Sequence, residues 1–96
     1  MYLTQEQKNT LVELLHFAQE VREYDAAVGI SIMLANIEPF GNKYVTDASP
    51  LHRQFITNFL NHLLKVVSPA EEEYGRIEGI KTLMSEAANT EGLVFQ

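Results

Sequence analysis

At 96 residues the chain has room for one domain, residues 1–96, and a domain of that size buries roughly 60–65% of its unfolded surface. No cysteine is present, which excludes a disulfide framework and every thiolate metal site. A formal charge of −6, with Lys8, Arg22, Lys43, Arg53, Lys65, Arg76 and Lys81 never clustering, argues against a nucleic-acid backbone as partner. The apolar fraction of 46% calls for a compact core.

The opening stretch "MYLTQEQKNT" has no basic segment leading into an apolar run, and no apolar run in the chain is long enough to cross a bilayer. A cytoplasmic protein without membrane contact is expected. Thr4 and Gln7 have the spacing of a capping box, and Leu11, Leu14, Leu15, Ala18 and Val21 then recur at helical spacing. The first helix is therefore expected from about Gln5 to about Arg22. On a wheel of ~100° per residue, Asn9, Glu13, His16, Glu20 and Glu23 fall on its solvent side.

The segment "DAAVGISIMLANI", centred on residues 26–37, reads two ways. Val28, Ile30, Ile32 and Leu34 alternate like a strand, while Ala26, Ile30, Met33, Leu34 and Ile37 fit a helix. A strand here needs a partner, and only the short "KYVT" and "GLVF" stretches offer one, so helix is favoured. Being apolar nearly all round, it is expected to be the most buried helix. Tyr24, Asp25, Ala26 and Ala27, with Pro39 after them, resemble the second helix of a tetratricopeptide repeat over about one repeat. The large aromatic and the glycine of such a repeat's first helix are missing, and the likeness supports only a helical hairpin turning near Arg22 to Asp25.

"EPFGNKYVTDA" reads as one long loop, with Pro39 stopping the second helix and Gly41-Asn42 tolerating positive φ. Ser49-Pro50 restarts a helix whose apolar arc, Phe55, Ile56, Phe59, Leu60, Leu63, Val66 and Val67, is wide enough to require two neighbours. In "SPAE", Ser68 is expected to cap the fourth helix, Pro69 to open it and Glu71 to reach back to the cap. That helix should bury Ala70, Tyr74, Ile77, Ile80, Met84, Ala87 and Ala88, fading near Asn89 to Gly92 and leaving "LVFQ" as an apolar tail.

The fold class expected is all-α: a bundle of about four helices, largely antiparallel, with a long loop between the second and third. Within it the stretch "GRIEGI" is anomalous, because each glycine weakens a helix interior by about 1 kcal/mol relative to alanine. Gly75 and Gly79 fall about 160° from Ile77 on the wheel, beside Glu72, Thr82 and Glu86, so they do not ease packing inside the bundle. Their stripe is therefore either an indifferent surface or a place where another chain approaches closely, since small residues four apart are what close helix approach requires. Gly75, Gly79, Glu72, Thr82 and Glu86, with the loop aromatics Phe40 and Tyr44, are thus the expected partner-binding residues, for a protein partner or a second copy in a homodimer.

Metal chemistry is not indicated. Glu13-x-x-His16 has ligand spacing but occurs once and on the polar face, and His52 and His62 do not share a helix side. His52 lies inside the apolar arc of its helix. Asp47 and Ser49 nearby are accounted for as helix-start residues. No phosphate loop or paired-carboxylate motif is present, and no cofactor is implied. The reading is a small acidic intracellular interaction module, inhibitor, immunity-type or adaptor protein, with no catalytic residues assigned. The alternative is a small-molecule- or metal-binding bundle, open to catalysis, with a pocket formed by His52, Asp47, Phe40 and Tyr44 at the 39–50 connection.

Overall fold

The computed structural model of the chain describes the backbone of residues 1–94 and the side-chain surroundings of residues 1–88. Four helices form the body: α1 (Gln5–Glu20), α2 (Tyr24–Ala35), α3 (Pro50–Val66) and α4 (Glu72–Val94). Three short strands, β1 (Tyr2–Leu3), β2 (Glu38–Phe40) and β3 (Lys43–Val45), form an antiparallel sheet in the order β1-β3-β2. The chain is thus largely helical, as its periodicity requires, with a small sheet that the periodicity does not announce.

The helices close on one another in sequence order. Helix α1 packs on α2, α2 on α3, α3 on α4, and α4 returns to α1 over the shortest contact of the four. Leu11, Ile30, Met33, Ile56, Leu60, Ile80 and Met84, with Leu3 from β1, are fully buried between them. The wide apolar arc of α3 finds its two neighbours in α2 and α4.

Local chemistry sets the helix ends. The Thr4 hydroxyl accepts from Gln7 N–H at 3.1 Å while Thr4 N–H donates to Gln7 Oε1 at 2.9 Å, a complete capping box. Helix α1 ends in a Schellman turn: Glu23 N–H donates to Ala18 C=O at 2.8 Å and Arg22 N–H to Gln19 C=O at 3.2 Å, with Arg22 held at φ 63°. An arginine occupies a conformation that glycine adopts without strain. The chain reverses into α2 there, where the hairpin turn was expected. Segment 26–37 is helical as far as Ala35.

The connection expected as a long loop is instead a hairpin. "KYV" does pair as a strand, but with "EPF" and "YL", stretches too short to show a period. Pro39 is tolerated because β2 is the sheet edge, and Gly41, at φ +63°, makes the two-residue turn with Asn42. The buried Thr46 hydroxyl donates to Met33 C=O at 2.7 Å, tying the strand end to α2.

The fourth helix departs from expectation in its bounds and in what it buries. Helix α4 does not begin at Ser68: Ser68 C=O accepts from Glu71 N–H at 3.0 Å in a separate turn, and the helix starts at Glu72 and continues through Gly92. Ala70 lies in that turn and is exposed, and Ala88 is exposed on the helix. Of the supposed tail, Leu93 and Val94 belong to α4, and Phe95 and Gln96 lie outside the described residues. Helix α2 has the largest buried share among the described residues, five of its twelve, yet it is covered on one side only, with Tyr24 62%, Val28 52% and Ile32 37% exposed.

Candidate functional site

Because α1 and α4 meet only briefly, an open trough runs between them. One reach, of about 530 Å³, is lined by Thr4, Glu6, Gln7 and Thr10 of α1 and by Glu72, Gly75, Arg76 and Gly79 of α4. A second, of about 580 Å³, shares Thr4 and Gln7 with the first and continues past Met1, Tyr2, Lys43 and Asp47 to Leu83, Glu86 and Ala87. The shared residues make the two reaches continuous.

The glycines are the informative part of its wall. A Cβ built on Gly75 or on Gly79 meets nothing within 4 Å, so neither glycine is demanded by a neighbour inside the fold. Gly29 is the opposite case, since a Cβ there comes within 3.2 Å of Ile56 Cδ1 and 3.4 Å of His52 Cβ. That glycine lets α2 approach α3.

The α1 wall is fixed before anything enters the trough. Thr4 and Gln7 are locked by the capping box, and the Thr10 hydroxyl, buried, donates to Glu6 C=O at 3.0 Å. On the α4 wall Arg76 is held by Glu72 at 3.8 Å and Glu73 at 3.4 Å, exposed pairs that position a side chain more than they stabilise a fold. The trough presents the carboxylates of Glu6, Asp47, Glu72 and Glu86 against the cations Lys43 and Arg76 and the amino terminus of Met1, which donates to Thr46 C=O at 2.8 Å. Among the described residues its walls are therefore net acidic.

Of the residues expected to bind a partner, Gly75, Gly79 and Glu72 line the first reach and Glu86 the second, while Thr82 is exposed on the same helix. Phe40 and Tyr44 sit apart from the glycines, on the sheet. Phe40, 60% exposed, lies against Tyr2 with ring centroids 5.5 Å apart. The Tyr44 hydroxyl donates to Gln5 Oε1 at 2.6 Å and its ring lies 4.4 Å under Lys8 Nζ, which docks β3 on the first turns of α1.

The four residues of the alternative pocket have separate engagements. Asp47 Oδ1 accepts from Ala48 N–H at 2.8 Å and lies 3.7 Å from the buried Arg53 guanidinium. His52 is half-buried against Gly29, its ring 6.5 Å from that of Phe55. Ser49 Oγ accepts from His52 N–H at 3.2 Å as the cap of α3. Asp47 faces the second reach of the trough, which His52, Phe40 and Tyr44 do not line. Glu13 and His16 are exposed, and among the described residues no three His, Asp or Glu side chains gather as a metal site requires.

Sequence reasoning missed the α1 half of the trough, because Thr4 and Gln7 read as a cap and nothing more. It also missed an apolar hollow of about 320 Å³ where Leu14 and Phe17 of α1, Leu63 and Val66 of α3 and Ile77 of α4 converge. No protein-family model, curated protein or solved structure matches the chain. Among the described residues no helix is long and apolar enough to cross a membrane.

Proposed function

We propose that the protein is a small intracellular interaction module without catalytic activity, whose α1–α4 trough receives a segment of a protein partner. The observation that carries this reading is the open space above both α4 glycines. The helix forgoes about 1 kcal/mol of propensity at such a position, and nothing inside the fold requires it. Glycines at i and i+4 admit a second backbone closer than any side chain allows. The locked α1 wall supports it too, since a groove ordered in advance loses little entropy on filling. A partner segment with small residues on its contact face and basic ones at its margins complements the acidic walls.

Gly79→Arg fills the trough from its α4 wall without touching the core. Crosslinking from the source cell should yield a discrete partner with the wild type and lose it with Gly79→Arg, the two proteins melting within a few degrees of each other. A partner captured equally by both would sink the reading.

The ligand-binding alternative draws on the apolar hollow rather than on His52. Leu14, Phe17, Leu63, Val66 and Ile77 offer a small apolar body a place to lie, at the lower end of the size range for ligand pockets. A metabolite panel that raises the melting temperature, with the rise abolished by Leu63→Trp, would favour it.

A further inference from the structure

The sequence of α2 and its position disagree. A helix apolar nearly all round belongs in an interior, yet the fold covers only one side of this one. Ala26, Ala27, Gly29, Ile30 and Met33 are buried, while Tyr24, Val28 and Ile32, four residues apart in turn, stand 62%, 52% and 37% exposed as a ridge along the other side. Beside the ridge lies a shallow groove of about 320 Å³ floored by Ala27 and Ser31 and walled by Gln19 of α1. A ridge at i±4 spacing next to a groove at the same spacing is the arrangement by which helices interdigitate.

We propose that this face is covered by a second copy of the chain, with the two α2 helices packed antiparallel about a two-fold axis near Val28. The ridge is symmetric about that residue: antiparallel pairing sets Tyr24 of one copy against Ile32 of the other and Val28 against Val28. Each copy then offers both the ridge and the groove that accepts it, as a two-fold contact requires.

Charge permits a second copy at this face and selects the direction of pairing. Two identical chains of charge −6 repel wherever carboxylates meet carboxylates. The exposed side of α2 carries Tyr24, Val28, Ser31, Ile32 and Ala35, all uncharged, with Asp25 at its margin as the one ionised residue of the helix. Parallel pairing sets the two Asp25 carboxylates side by side. Antiparallel pairing sets each against Ser31 of the other copy, with the carboxylates at opposite ends of the contact. This surface is separate from the trough, since among the described residues α2 packs on α1 and α3 and makes no contact with α4.

One helix face from each copy gives a contact at the small end of specific interfaces, below about 1,200 Å² in total, the size class of weak, transient association. Sedimentation equilibrium from about 10 to about 500 µM tests it. Expected is a concentration-dependent dimer for the wild type, association weakened at least about tenfold by Val28→Glu, which opposes two carboxylates at the axis, and no change from Val12→Glu on α1. Tyr24→Lys, at the more exposed end of the ridge, provides a second variant should Val28→Glu lose its helical circular dichroism. A wild type that stays monomeric throughout the range overturns the proposal, as does a folded Val28→Glu or Tyr24→Lys protein that dimerises as the wild type does.

Discussion

Replacing Gly75 and Gly79 together by alanine tests the geometry of the trough with the isolated protein. Both positions lie inside α4, and neither has a positive φ. A Cβ at either meets nothing within 4 Å, so alanine enters without strain or displacement. The gain is then helix propensity, about 1 kcal/mol at Gly79 and less at Gly75 in the first turn, or about 1.5 kcal/mol together. For a domain of this size that is a rise in Tm of roughly 6–12 °C, measured by calorimetry or by circular dichroism at 222 nm. Gly29→Ala is the internal control. The same gain is there offset by a methyl forced to 3.2 Å from Ile56, so its Tm should not rise. If the double variant melts at or below the wild type, the space above the glycines is occupied, and the trough is not what its geometry indicates.

Other expectations follow from single contacts. Arg22→Gly should stabilise by about 0.5–1 kcal/mol in denaturant titrations, because it relieves a left-handed arginine at the end of α1. Ser49→Ala should cost about 1 kcal/mol as loss of a true cap, whereas Ser68→Ala should cost only a few tenths, since Ser68 Oγ accepts only a long bond of 3.4 Å from Ala70 N–H in a turn outside α4. Arg53→Leu should cost about 2–3 kcal/mol by chemical denaturation, because the buried guanidinium donates to Ala48 C=O at 2.6 Å and its loss strands that carbonyl.

What could be read in the sequence divides along physical lines. The four helices were legible because each buries a stripe over two turns or more, and the caps at Thr4 and Ser49 because their chemistry is local. The sheet was not, since strands of two and three residues carry no period and Pro39 argues against a strand anywhere but at an edge. Ser68-Pro69 misled for a different reason: the same residues serve a turn and a helix start equally well, and the choice between them lies in where α4 must sit to bury Ile77, Ile80 and Met84. At the site, the outward direction of Gly75 and Gly79 followed from the wheel alone. The α1 wall opposite them, the apolar hollow and the exposed ridge of α2 depend on which helix lies beside which, and a single helix's pattern does not contain that.

The trough and the α2 ridge make separable demands on the molecule, and the separation can be measured. Among the described residues α2 and α4 are not in contact, each packing instead on α1 and α3, so a dimer formed through α2 leaves the trough of each copy open. Such a dimer is bivalent, and a partner displaying two segments gains avidity from it without any new contact. Changes at the two surfaces should then act independently. The glycine-to-alanine pair should raise stability by the same amount in the Val28→Glu background as in the wild type, to within about 0.5 kcal/mol, and should leave the sedimentation of the wild-type dimer unchanged. If the copies instead met through the glycines, added methyls would hold the backbones apart and the dimer would weaken as the monomer gained stability. Loss of dimer in the glycine variant would move self-association to the trough and leave the α2 ridge without its partner.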